Sequence, residues 1–108
     1  MSQGRRYSIK LTASAAKSYQ ALGGSAKRKA NNALDALAIA PGLGMVYDPY
    51  YEAARLPFEV RVVYAGKYGI YYDYDEQTRI VYVRFIEDER MDPLNRFSAR
   101  IHEGGAQD

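Results

Sequence analysis

The chain has 108 residues, 47% hydrophobic and 26% charged, with no cysteine and no tryptophan. That length fits one domain with one modest core, since domains commonly run to roughly 100–150 residues, and the missing cysteines exclude disulfides, thiolate metal ligands and thiol nucleophiles. No apolar run approaches the ~20 residues of a membrane span and residues 1–6 lack a signal-peptide stretch, so a small cytoplasmic domain is expected.

Residues 7–11 alternate apolar and polar, which predicts a half-buried strand. Thr12 or Ser14 can then cap a helix by accepting an orphan backbone N–H. Ala15, Tyr19 and Leu22 share one face of that helix, and Gly23-Gly24 stops it. Ser25 is expected to cap a second, longer helix with Ala26, Ala30, Ala33, Leu34, Leu37 and Ala38 as its apolar stripe, ended by Pro41-Gly42. Residues 41–56 show no clean period and read as a loop, with a short helical turn expected at 50–55. Three strands follow at 58–64, 68–74 and 79–86, joined by a turn at Ala65-Gly66 and a second at Asp75-Glu76-Gln77-Thr78. The expected fold is α+β in the order β-α-α-β-β-β: two helices on one face of a mainly antiparallel four-stranded sheet. It forms a single domain, with a core at about 6–97 and a flexible tail at 98–108.

Period two assigns the sheet faces. Phe58, Val60, Val62, Ile70, Tyr72, Val81, Val83 and Phe85 form the more apolar set and should receive the helices. Glu59, Arg61, Val63, Gly69, Tyr71, Asp73, Tyr82 and Arg84 should face the other way, as an interaction surface or as the wet side of an antiparallel sheet.

The net charge of +2 is uneven, because residues 1–40 hold seven basic groups against Asp35 alone. Lys27-Arg28-Lys29 is a solvated helix face or a site for an acidic partner or nucleic acid. There is no Gly-rich phosphate loop, metal-spaced His cluster or Ser/His/Asp set, and neither metal nor cofactor is expected. His102 reads as an idle tail residue. Glu87-Asp88-Glu89 and Asp73/Asp75/Glu76 read as solvated acids. The eleven tyrosines can be strand formers, interface anchors or stacking platforms for bases.

The opening YSIKLTASAAKSYQAL (7–22), the helix pair, the Gly66-Lys67-Tyr68 turn leading into Ile70-Tyr71-Tyr72, and the closing Glu89-Arg90-Met91-Asp92-Pro93 resemble the RelE/ParE superfamily, over about residues 6–97. The resemblance implies the toxin of a bacterial type II toxin–antitoxin pair, neutralised by a cognate antitoxin with an amphipathic segment and acidic groups. RelE-like members cleave mRNA in the ribosome without metal, and ParE-like members inhibit DNA gyrase. Metal-free cleavage needs a base for the 2′-hydroxyl, cations for the phosphorane and an acid for the leaving oxygen. The resemblance implies an arginine after the Gly-x-Tyr turn, where Gly69 stands, and paired basic positions of which the first is Glu59 and the second Arg61. A rearranged cleavage site would use Arg61, Lys67, Arg84 and Arg90 with Tyr71. A binding site would use Lys27, Arg28, Lys29, Tyr68, Tyr82 and Arg90. The glutamate-rich end of the last strand and the ParE-like ending favour a gyrase-type binder, with mRNA cleavage second and a non-toxic interaction domain third. The toxin reading requires the far side of the sheet to stay open.

Overall fold

The computed structural model describes residues 6–48 and 56–90. The helical turn expected at 50–55, the Met91-Asp92-Pro93 ending, His102 and the tail from residue 98 lie outside them. The elements are β1 (Ser8–Leu11), α1 (Ala13–Gln20), α2 (Gly24–Ile39), a 3-10 turn (Pro41–Leu43), β2 (Met45–Val46), β3 (Arg61–Ala65), β4 (Tyr68–Asp75) and β5 (Ile80–Asp88). The sheet order is β1-β5-β4-β3-β2, with β1 parallel to β5 and every other pair antiparallel. The sheet thus has five strands where four are expected. The extra one, β2, is two residues long, too short for alternation to reveal. Among the described residues, no helix is long and apolar enough to cross a membrane.

Thr12 turns β1 into α1 and fastens both to β5. Its Oγ1 accepts the Ala15 N–H at 3.1 Å, its hydroxyl donates to the Arg84 carbonyl at 2.8 Å, and its own N–H donates to the Val83 carbonyl at 3.0 Å. A threonine N-cap satisfies one helix-end donor, and this one also reaches across to the far end of the chain. Helix α2 is capped by the backbone of Gly23, with no side-chain bond. Ser25, the expected cap, already lies inside the helix.

Ala30, Leu34 and Leu37 recur at helical spacing along α2 and bury with Ala15 of α1 against Ile70, Tyr72, Val81, Val83 and Ile86. Both helices therefore cover one sheet face, as expected. A smaller cluster lies on the opposite face: Leu56, Val60, Val62, Tyr71 and Phe85, with Tyr47 packed on it. The expected open side is thus covered in part by the chain's own 47 and 56 positions.

Two face assignments are corrected. In β3 the register places Arg61 opposite Tyr72 and Val63 opposite Ile70, so Arg61, Val63 and Ala65 share the helix-covered side and Val60 and Val62 the far side. Because positions 60, 62 and 63 are all valine, alternation carries no usable sign there, and one step of register exchanges the two faces. In β5, Phe85 pairs with Tyr71 while Val83 pairs with Tyr72, which leaves Arg84 as an extra, bulged residue. The bulge moves Phe85 to the far side.

Tyr72 is fully buried, and its hydroxyl donates to the Pro41 carbonyl at 2.6 Å while accepting the Gly44 N–H at 2.9 Å. Arg61 adds a third tie to the same loop, with Nη1 donating to the Gly44 carbonyl at 2.7 Å. Burial pushes the Tyr72 phenol above its ordinary value of 10, against the opposing pull of the Gly44 N–H and of Arg61. Its contribution to stability is therefore complete below pH 10 and is lost as the pH rises above that value. Tyr72→Phe leaves a buried carbonyl and N–H without their partner, and should cost about 1–3 kcal/mol in urea denaturation at neutral pH.

Candidate functional site

The strand ends and the bulge sort the candidate residues into three places. The first is the far face. Tyr71 sits there fully buried, its ring edge-on to Tyr47 with centroids 5.0 Å apart, and its hydroxyl donates to Glu89 Oε2 at 2.7 Å. It is not exposed to a substrate. A Cβ built on Gly69 would collide with the Glu89 carboxylate and lie 2.9 Å from the Tyr71 ring. The position at which the resemblance implies an arginine is therefore filled by a tyrosine–glutamate pair. Glu87, opposite Gly69 in the ladder, is 3% exposed. This half of the face is apolar and acidic, a poor environment for a phosphodiester.

The second place is the bulge. Because Arg84 is the unpaired residue of β5, its side chain swings beside Asp73, with Nε to Oδ2 at 3.2 Å and Nη2 to Oδ1 at 3.1 Å. Its guanidinium carbon lies 5.2 Å from the Tyr82 ring and 6.0 Å from Phe58, which is 44% exposed. Asp73, Tyr82 and Arg84 keep partial exposure. This half of the far face, edged by Lys10 opposite Tyr82 on β1, stays open among the described residues. Arg61, by contrast, lies on the helix side and holds Gly44. It does not join Arg84.

The third place is the tip of the β3–β4 hairpin, where Lys67, Tyr68 and Arg90 gather with Lys29. The Lys27-Arg28-Lys29 run divides by helical geometry. Lys27 places Nζ 5.0 Å from the centroid of the Tyr19 ring, Arg28 is exposed, and Lys29 reaches the Gly66 turn. Tyr19 in turn donates to Asn31 Oδ1 at 2.6 Å, stitching α1 to α2. The groups that sequence reading missed are Asp73 as the partner of Arg84, Glu89 as the partner of Tyr71, and Tyr47 and Leu56 as a cover for the far face. The first two pairs follow from strand register. The cover lies in the aperiodic loop and has no pattern to announce it.

Arg90 is committed to Asp88. Its N–H and Nε both donate to Oδ1 at 2.9 Å, and Nη2 donates to Oδ2. The guanidinium first, then the Arg90 N–H, hold the Asp88 carboxyl down at about 2 against an ordinary 3.8, with Lys67 adding to the field. Because the folded value is depressed, the pair supports the fold above pH 3.8 and ceases to do so as the pH falls toward 2. An NMR titration of the Asp88 carboxyl should give a midpoint near 2, and Arg90→Ala should return it most of the way to its ordinary value.

No protein-family model matches the sequence, and no curated protein matches it. Solved structures do. The archaeal RelE of the RelE–RelB complex from Pyrococcus horikoshii OT3 superposes with a TM-score of 0.63 at 13% identity, covering 81% of this chain and 99% of that one. The isolated RelE toxin of E. coli gives 0.58 at 15% identity over 90% and 97%. The intact E. coli RelBE toxin–antitoxin complex gives 0.57 at 16% over 76% and 95%. With two helices laid on a five-stranded mixed sheet and near-complete coverage of those chains, this protein has the fold of these RelE structures.

Proposed function

We propose that this chain is the toxin of a two-component toxin–antitoxin pair and arrests growth by binding an essential bacterial machine, with DNA gyrase as the first candidate. Fold alone does not assign an activity, so the reading rests on the site. The observation that carries it is the far face. Metal-free RNA cleavage needs cations poised around a phosphate, yet this face presents Val62, Tyr71 and Phe85 beside Glu87 and Glu89. Its arginine, Arg84, is ion-paired with Asp73 at 3.0 Å. A binder needs only a complementary surface. The open half around Phe58, Tyr82 and Arg84 supplies rings and a guanidinium, the residue types that anchor protein interfaces. The partner that neutralises the chain is an antitoxin, as in the two complexes whose toxins share its fold.

Ribosome-dependent mRNA cleavage is the second reading, favoured by the likeness to RelE itself over almost the whole of the RelE chains. Induced expression of the chain alone in bacteria should stop growth, and co-expression of the adjacent small reading frame should restore it. Healthy growth at high expression overturns both toxin readings and leaves a non-toxic interaction domain. During arrest, primer extension should show intact messages, while a gyrase supercoiling assay with the purified chain shows inhibition. Phe58→Ala with Tyr82→Ala should relieve arrest without unfolding the chain. Codon-boundary cuts that vanish in Arg84→Ala would establish cleavage instead.

A further inference from the structure

Four of the six large apolar side chains that stand exposed among the described residues fall within eight positions of the chain: Ile39, Leu43, Met45 and Val46. The most open of them, Met45, is 72% exposed. They run from the end of α2 across β2, the last strand on that side of the sheet. Residues 36–47 hold no charged group, in a chain that is 26% charged. Natural edge strands commonly carry a lysine, another charge or a proline that discourages pairing with a further strand. β2 carries none of these.

The backbone of this edge is also set for one more strand. The Tyr47 N–H donates inward to the Val60 carbonyl at 2.9 Å. Neighbouring residues of an antiparallel strand direct their amides to opposite sides, so the Val46 N–H and carbonyl point away from β3. Among the described residues no further strand lies on that side. Met45 pairs with Val62 and Val46 with Arg61, so the two side chains flank the edge, Met45 on the far face and Val46 on the helix-covered one.

Charge decides what fits. Under a two-fold axis each residue meets the same surface of a second copy, and an uncharged stretch does so without repulsion. An axis at Val46 sets that residue against its own copy, in the hydrogen-bonded position, and sets Met45 against Tyr47 of the second copy. Gly44 then stands opposite Asp48 of the second copy, and the Gly44 carbonyl accepts from Arg61 Nη1 at 2.7 Å. A carboxylate and a guanidinium thus come together on each side of the axis. We propose that the β2 edge is a self-association surface: two copies of this chain pair their β2 strands antiparallel about Val46 and join their sheets into one. Such pairing does not depend on the chain being a toxin.

β2 is two residues long, so the interface is small, and a concentration-dependent dimer is expected rather than an obligate one. Sedimentation velocity of the full chain at rising concentration should show monomer passing into dimer. Val46→Lys places two ammonium groups opposite each other across the axis and should weaken the dimer about tenfold or more, and Val46→Glu should do the same. Mixing V46K with V46E in equal amounts should restore it, because opposite charges then meet. Val46 is 46% exposed, so both variants should keep the native circular dichroism. The chain has no cysteine, so Val46→Cys introduces a single thiol, and this arm does not rely on either charged variant folding. Opposed residues at a hydrogen-bonded position have Cα atoms about 5.5 Å apart, within disulfide reach. Mild oxidation should therefore link two copies through V46C and leave R28C, at an exposed position of α2, unlinked. A monomer at every concentration overturns the proposal, as does a dimer that V46K leaves intact or cross-linking of R28C as ready as that of V46C. A dimer that both charged variants weaken but their mixture does not restore overturns the two-fold register at Val46.

Discussion

Two adjacent tyrosines buried on opposite sides of one strand organise this molecule. Tyr71 and Tyr72 are both fully buried, and a buried phenol costs free energy unless its hydroxyl is bonded. Each therefore dictates where another segment must lie. Tyr72 fastens the α2–β2 connection through Pro41 and Gly44, and Tyr71 pulls Glu89 across the end of β5. The central strand is covered on both faces. The same constraint closes half of the face on which a sheet-based enzyme would do its chemistry.

The bulge at Arg84 is the second organising feature. It lets β5 serve both faces in one strand, with Val83 toward the helices and Phe85 toward the far cluster. It also frees the Arg84 carbonyl for Thr12 and the Arg84 side chain for Asp73. One inserted residue thus positions the start of α1 and the only arginine of the far face among the described residues.

Much of the architecture was legible in the residues. The stripe Ala30, Leu34, Leu37 has helical period, and alternation through residues 68–75 and 80–83 places Ile70, Tyr72, Val81 and Val83 correctly. The failures share a physical origin. Period two states that faces differ but not which is buried, so a strand with Val60, Val62 and Val63 carries no sign. A bulge reverses the sign midway, as it did for Phe85, and no residue type marks it. The site was less legible still. Cations can be counted from a sequence, whereas their availability depends on partners distant along the chain: Asp73 for Arg84, and Gly44 for Arg61. Lys29 meets the Gly66 turn because α2 runs over the hairpin tip, a tertiary fact with no local trace.

The parallel docking of β1 on β5 also has a bearing on how the protein comes into being. The bond from Thr12 to Arg84 spans 72 residues, and among the described residues β1 has no neighbour in the sheet except β5. Such long-range pairing closes late and slowly. During synthesis β1 and α1 emerge with only α2 to rest on, through the Tyr7 N–H to the Ala38 carbonyl and Tyr19 to Asn31. The strand has no sheet to join until β5 follows. The surface around Arg84 is thus assembled only after nearly all of the described chain has been made.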